Sequence, residues 1–277
     1  MKPKLQPIER LEKRLARVAR EQGLDQERLR RWVSFLALCG VLEKALADGI
    51  VGSYYLKGGV ALELRFATRA RATKDLDLGL DGVRGDRLNR LQRALEPGFD
   101  DFTFRLKAQT KTMEQADTIR LNIAIAYKTR AWQTIEVDLG PAKTNDIDFV
   151  EPRVQGLMEL GLPVASPIRC LGLAEQAAQK LHACTGPFAA GRARDVLDIL
   201  LIEMLGSLDY RRTADAVQTV FAERATHELP TVFRMPIEWR RELEALAGRL
   251  GFPHTSAVEK EERFTLFIQR LTNYGLN

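Results

Sequence analysis

The sequence has few of the residues that form covalent frameworks or zinc sites. Its 277 residues include three cysteines and three histidines. The cysteines (Cys39, Cys170 and Cys184) form no C-x-x-C pair, so neither a disulfide framework nor a zinc knuckle is indicated. The histidines (His182, His227 and His254) lack the spacing of metal ligands. We therefore expect a protein of the reducing cytoplasm.

Long apolar runs are also missing. No segment approaches the roughly 20 apolar residues of a membrane span, so no membrane association is expected. The basic N-terminus has no apolar core of the kind found in secretory signals. Hydrophobic residues still make up 45% of the chain, which is enough for one large domain or two smaller ones.

Acidic residues are scarce in two segments. The net charge is +5; residues 1–31 carry ten basic and five acidic side chains, and residues 57–74 carry five basic and one acidic. This concentration of positive charge suits a polyanionic substrate such as RNA. Solubility alone is the alternative explanation.

The clearest chemical pattern lies in Tyr54–Leu80. A short strand-like run ends at Gly58-Gly59, an apolar segment of helical period follows, and Asp75 and Asp77 then alternate with leucines. Residues i and i+2 of a strand face the same side, so the two carboxylates lie next to each other. Such a pair favours a hard divalent cation such as Mg²⁺. Each feature alone is common, but together with the basic loop they favour a nucleoside triphosphate site.

The rest of the chain predicts an α/β core, a mixed sheet, preceded by helices and followed by a helical bundle. Residues 8–48 have helical periodicity, with breaks predicted at Gly23 and near Gly40. Residues 53–140 alternate as strands, with a second helix predicted over Gly85–Leu95. Proline and glycine predict a linker within residues 141–170. The expected domains are an N-terminal helical segment (1–49), an α/β domain (50–163) and a C-terminal helical domain (164–277).

One later strand contains a further acidic candidate. Asp138 is predicted to lie on the polar side of its strand, as expected of a third carboxylate. Such a carboxylate can share a metal and accept the proton of an attacking hydroxyl. The alternative is a solvent-facing acid at a strand end, and the sequence does not decide between them. Glu136 is a weaker candidate for the same role.

Two helices in the last third of the chain hold another charged pair. Lys180 lies beside an apolar stripe, and Asp195 lies in the first turn of the next helix. In one interpretation Lys180 binds triphosphate oxygens and Asp195 holds Lys180 or a metal-bound water. In the other, Asp195 only stabilises the helix N-terminus through the helix dipole.

Two parts of the sequence resemble the AbiEii family of toxins, within the minimal nucleotidyltransferase superfamily. The first is LKGGVAL at 56–62 followed by RATKDLDL at 71–78, and the second is Lys180-Leu181 followed by RARDVLD at 192–198. Many superfamily members have Gly-Ser where this chain has Gly58-Gly59. The hydroxyl contact to phosphate is therefore missing, and we expect Lys57 to compensate.

The resemblance implies a metal-dependent transfer of NMP from an NTP to an acceptor hydroxyl, with the 3′ end of tRNA as the expected acceptor. It also implies that the protein is the toxin of a bacterial toxin–antitoxin, abortive-infection system, and that a winged-helix antitoxin counters its activity. Two Mg²⁺ ions would be bound by Asp75 and Asp77. Nucleotide binding is assigned to Lys57, Gly58, Gly59, Arg71 and Thr73. Catalysis is assigned to Asp75 and Asp77 together with Lys180, Asp195 and Asp138.

Three other functions stay open. An antibiotic-modifying nucleotidyltransferase would favour an acidic acceptor cleft, and the basic loop 65–74 argues against one. A non-catalytic nucleotide sensor is disfavoured by the intact Asp75-x-Asp77. A nucleic-acid-binding module without catalysis would need only the basic N-terminus.

Overall fold

The structure, a computed structural model, describes residues 7–107, 111–113, 117–152, 160–162, 165, 167–253 and 256–275. These residues divide by contact into two units. The first comprises the described residues up to Ala67 and from Ala72 to Cys170, and the second comprises Thr68–Arg71 and the described residues from Leu171. The expected domain boundary at Pro163 lies outside the described residues, and the domain limits stay a prediction.

The N-terminal part of the chain alternates helices and strands up to Leu171. Its helices are α1 (Pro7–Gln22), α2 (Gln26–Ala47), α3 (Gly58–Phe66) and α4 (Arg84–Leu95), with a short 3₁₀ turn at Ala67–Arg69. Its strands are β1 (Tyr54–Lys57), β2 (Asp75–Leu80), β3 (Phe102–Leu106), β4 (Lys111–Met113), β5 (Thr118–Tyr127), β6 (Arg130–Pro141), β7 (Ile147–Val150) and β8 (Ile168–Leu171).

The described strands form one sheet in the order β3-β5-β6-β2-β1-β8-β7, with β4 paired to β5. The pairing is parallel between β2 and β6 and antiparallel between β1 and β2, so the predicted mixed sheet is confirmed. Alternate residues of β5, such as Ile119 and Leu121, are buried in the core with α1, α2 and α4. The intervening residues of β5 are only half-buried, which leaves one polar face of the sheet.

The two N-terminal helices meet at Gly23, as predicted. Asp25 caps α2 by accepting a hydrogen bond from the backbone N–H of Arg28 at 2.7 Å. The predicted break near Gly40 is wrong, because α2 continues to Ala47. A Cβ at Gly40 would lie 2.4 Å from the ring of Phe99, so this glycine permits close packing and does not end the helix.

Strands β7 and β8 lie in the stretch that the sequence interprets as a linker. Each has four residues, and β8 joins the sheet through the pairing of Cys170 with Leu56. Runs this short show little alternation, and they lie among prolines and glycines that are typical of loops. The sequence pattern therefore does not predict these two strands.

The second unit is helical, as predicted. Its helices are α5 (Leu173–Thr185), α6 (Ala193–Leu205), α7 (Tyr210–Arg224), α8 (Ile237–Leu250) and α9 (Ala257–Gly275). Aromatic residues such as Trp239, Phe264 and Phe267 are buried in the core of this unit. Across the described residues, no helix has the length and apolar content to cross a membrane.

Candidate active site

The aspartate pair begins strand β2, as predicted. Asp75 and Asp77 are half-buried on the polar face of the sheet, while Leu76 and Leu78 point into the core with no exposed surface. The alternation of the sequence therefore places both carboxylates on one face.

Two rows of charged and polar residues cross the sheet at this point. In the first row Lys57 of β1, Asp77 of β2 and Asp138 of β6 are neighbours in register. Such neighbours lie about 5 Å apart on one face of a sheet. In the second row Asp75 is in register with Glu136 of β6. The pairing of three strands thus brings together residues up to 81 positions apart in the sequence.

Gly58 lies directly against the carboxylate of Asp77. Its φ is +63°, which disfavours any residue with a side chain, and it begins helix α3. A Cβ built on Gly58 would lie 1.9 Å from Oδ2 of Asp77. The turn between β1 and α3 can therefore approach the carboxylate only because position 58 has no side chain.

The second glycine supports the loop that leads into β2. A Cβ at Gly59 would lie 2.8 Å from Cβ of Thr73, so Thr73 packs on this glycine. Glu63, on α3, is 1% exposed and accepts hydrogen bonds from the backbone N–H of Thr73 and from the indole N–H of Trp32. Arg28 donates to the same carboxylate at 3.2 Å. Burial raises the pKa of Glu63, although Arg28 acts in the opposite direction.

Glu63 is a positioning residue that the sequence does not single out. It ties the loop before β2 to helix α3, and so helps to fix where Asp75 begins. The available signal is that Glu63 is the one acid in the basic segment 57–74. That signal indicates a buried ion pair only once the fold is known.

Asp138 is in register with Asp77, but its carboxylate is bound by an arginine. Arg120 of β5 donates from Nε and Nη2 to the two oxygens of Asp138, at 2.8 and 2.7 Å. Arg120 also lies 3.3 Å from Glu136. The hydrogen bond with Asp138, more than any other cause, raises the pKa of Arg120. Arg120 alternates with apolar residues along β5, and nothing in the sequence indicates that it binds Asp138.

The donor set suits a hard cation. Among the described residues, no group of three or more histidine, cysteine or acidic side chains is arranged to hold a metal ion. Asp75 and Asp77 offer carboxylate oxygens on one face of β2, the ligands that Mg²⁺ prefers. Two carboxylates fit an ion that takes its other ligands from water and phosphate, which is the usual situation of Mg²⁺ at phosphate-transfer sites.

A second charged cluster lies within the helical unit. The ammonium of Lys180 on α5 lies 2.7 Å from Asp195 and 2.8 Å from Asp198, both on α6. Arg71, which belongs to the same unit, donates from Nη2 to Asp198 at 2.9 Å. The pairing of Lys180 with Asp195 anticipated from the sequence is present, so Asp195 does more than stabilise the helix N-terminus.

Attraction between opposite charges sets the ionisation of this cluster. Burial lowers the pKa of Lys180, but the nearby Asp198 and Asp195 outweigh it, and the pKa is raised overall. Asp198 is 1% exposed, and its pKa is lowered because Lys180 and Arg71 overcome the effect of burial. Asp198 belongs to the second motif, but the sequence indicated no role for it. Its spacing of three residues from Asp195 places the two side chains on one side of α6.

Comparison with known protein families identifies the chain. The model of the nucleotidyl transferase AbiEii toxin family, type IV toxin–antitoxin system, matches residues 41–269. That range includes both clusters described above. The chain belongs to the AbiEii family. The family resemblance and the nucleotidyltransferase fold predicted from the sequence are therefore confirmed, and the protein is a toxin-type nucleotidyltransferase.

A solved structure agrees with the fold of this AbiEii-family protein. MenT4, a nucleotidyltransferase toxin from Mycobacterium tuberculosis, matches with a TM-score of 0.57 and 14% identity over 95% of this chain and 89% of that chain. The antibiotic-resistance factor ANT(2″)-Ia matches in two structures, with TM-scores of 0.41 and 0.37 and identities of 14% and 18%. These cover 70% and 67% of this chain, and 94% and 95% of those chains. No curated protein sequence matches.

Proposed function

We propose that this protein transfers a nucleoside monophosphate from an NTP to a hydroxyl at the 3′ end of tRNA. The observation that supports this best is the contact of Gly58 with Asp77. It joins a side-chain-free turn at the N-terminus of α3 to a carboxylate pair suited to a divalent cation. A helix N-terminus attracts phosphate, and a carboxylate pair attracts the cation that accompanies it.

The triphosphate is assigned to the side of Asp77 that faces Gly58. There the backbone N–H groups at the start of α3 would bind phosphate oxygens, and the absence of a side chain at Gly58 would allow their close approach. Lys57, in register with Asp77, adds a positive charge on the same face. Mg²⁺ held by Asp75 and Asp77 would neutralise charge that develops on the transferred phosphate and on the leaving pyrophosphate.

Asp138 is assigned the role of proton acceptor for the attacking hydroxyl. Its position next to Asp77 in register supports this role. The two hydrogen bonds from Arg120 fix its orientation, and a carboxylate with two such bonds retains lone pairs for another donor. Arg120 is thereby a positioning residue.

Phosphate binding is the role that we propose for Lys180, on the basis of the second family motif. Phosphate binding requires a cation that stays charged and stays in place. Both requirements are supported within the helical unit, because Asp195 and Asp198 hold the ammonium and raise its pKa. The family also supports an antitoxin partner, which we propose is a winged-helix protein, with both proteins acting in the cytoplasm.

The test is transfer of label from each α-³²P NTP to total bacterial tRNA in the presence of Mg²⁺. Wild type should label RNA with one preferred NTP. The transfer rate of Asp77→Asn should be at least about 100-fold lower, since loss of a metal ligand removes the electrostatic contribution of the metal. Asp215→Asn, an exposed aspartate on α7, is the matched control and should keep wild-type activity. Chelation of the metal should abolish labelling.

Two other results would redirect the assignment. Transfer to an aminoglycoside but not to tRNA would identify an antibiotic-type acceptor. RNA binding that survives in Asp77→Asn, with no nucleotide turnover in wild type, would identify a non-catalytic binding module.

A further inference from the structure

A polar notch lies beside the aspartate pair, at the point where strand β2 begins. Strand β6 starts at Arg130, but β2 pairs with it only from Glu136 onward. The first six residues of β6 therefore have β5 on one side and no described strand on the other. The resulting notch has a volume of about 450 Å³ and is lined by Asp75, Glu136 and their neighbours on α2, β5 and β6.

Two cations of the notch have no partner among the described residues. Nε of Arg31, on α2, is buried there without a hydrogen-bond acceptor. Lys74 is exposed at the rim, directly before Asp75. Of the two acids of the notch, Glu136 lies 3.3 Å from Arg120, and Asp75 is assigned to the divalent cation. Arg31 and Lys74 are therefore the groups of the notch that can bind an anion.

Two side-chain amides complete the lining. The hydroxyl of Ser34 lies 3.0 Å from both the amide oxygen of Gln133 and the backbone carbonyl of Arg30, and Trp132 donates to this hydroxyl at 3.0 Å. With its oxygen toward Ser34, Gln133 has its NH₂ group available as a donor. The side chain of Asn122 makes no hydrogen bond to the described residues and offers both a donor and an acceptor. Side-chain amides of this kind recognise the edges of nucleobases.

The position of the notch distinguishes an acceptor from a leaving group. In phosphoryl transfer the attacking and leaving oxygens lie roughly in line on opposite sides of the phosphorus. The triphosphate is assigned to Asp77 and Gly58 on the β1 side of β2, whereas the notch lies at Asp75 on the β6 side of the same strand. The group that occupies the notch is therefore on the attacking side.

We propose that the notch binds the terminal nucleotide of the RNA acceptor, with Arg31 and Lys74 at its phosphate and Asn122 and Gln133 at its base. This inference rests on the proposed function, and it names residues that determine which RNA ends are used.

The test uses the full chain with Arg31→Ala and Asn122→Ala. The matched controls, Arg93→Ala and Asn89→Ala, change exposed residues of α4. Transfer is measured with the preferred NTP and short RNAs that differ only in the 3′-terminal nucleotide. Filter binding gives the affinity for RNA, and thermal denaturation confirms that each variant is folded.

Arg31→Ala should raise the KM for RNA by about 10-fold and weaken RNA binding similarly, because a charge-assisted contact to phosphate is lost. The KM for the NTP should stay within about 2-fold. Asn122→Ala should reduce the preference among the four RNA ends by about 3- to 10-fold, the contribution of one hydrogen bond. Neither control should change these values.

A raised KM for the NTP with an unchanged KM for RNA would overturn the inference and assign the notch to the base of the NTP. Unchanged kinetics in both variants would also overturn it. If wild type transfers no label to RNA, the proposed function itself fails, and the acceptor site fails with it.

Discussion

Replacing Gly58 by alanine places a methyl group where the carboxylate of Asp77 now lies. The new Cβ would be 1.9 Å from Oδ2, and about 3.0 Å is the closest separation that such atoms tolerate. The carboxylate must therefore move by at least about 1 Å. A displacement of about 1 Å in a catalytic group can cost about 100-fold in rate, so we expect kcat to fall by about that factor.

Part of any loss comes from the backbone alone. At φ +63° a residue with a side chain costs about 1–2 kcal/mol relative to glycine. Gly23 is the matched control, because its φ is also +63° and a Cβ there would have nothing within 4 Å. Gly23→Ala should therefore lower the melting temperature by the backbone cost alone, which is less than the effect of Gly58→Ala, and leave the transfer rate unchanged.

The assay is pyrophosphate release and label transfer from the preferred NTP, with both variants compared at the same fraction folded. Gly58→Ala should also weaken the stabilisation by Mg²⁺ in thermal denaturation, since ligand binding to the folded state raises the melting temperature. If Gly58→Ala retains activity within about 3-fold of Gly23→Ala, the contact with Asp77 does not position the carboxylate for catalysis.

Two further predictions concern the helical unit. Asp198→Asn should lower the free energy of unfolding by about 3 kcal/mol, because it leaves the charges of Lys180 and Arg71 buried with too few acceptors; urea denaturation measures this, and an effect no larger than that of Asp215→Asn would contradict it. Burial lowers the pKa of His182 to about 4, so between pH 4 and about 6.5 the unfolded state binds more protons than the folded state. Stability should therefore fall as pH decreases through this window, and His182→Gln should flatten the decrease in melting temperature, with an unchanged slope contradicting the assignment.

Strands with strict alternation are predictable because the order of apolar and polar residues along the strand determines which side chains are buried. The run Thr118–Tyr127 shows this, since every second residue is apolar and buried. Gly40 shows the limit of the same approach. Its role depends on Phe99, which is distant in the sequence, and no local pattern indicates that a ring packs on it.

The candidate site divides in the same way. The alternation of Asp75 and Asp77 with leucines indicates from the sequence that two carboxylates share a face. The engagement of Asp138 by Arg120 is a cross-strand contact that depends on register, and the sequence left the role of Asp138 open. Whether Asp138 acts in catalysis stays a prediction.

The sequence by itself determined the family, the helical and strand character of most segments, and the pair of carboxylates at the start of β2. These follow from the identity and spacing of residues that are close along the chain. The tertiary structure decided which charges are already compensated. Arg120 binds Asp138, Asp198 joins Lys180 and Arg71, and the late start of β2 opens the notch. The physical reason is that ion pairing and strand register depend on distances between residues far apart in the sequence, which only the folded chain sets.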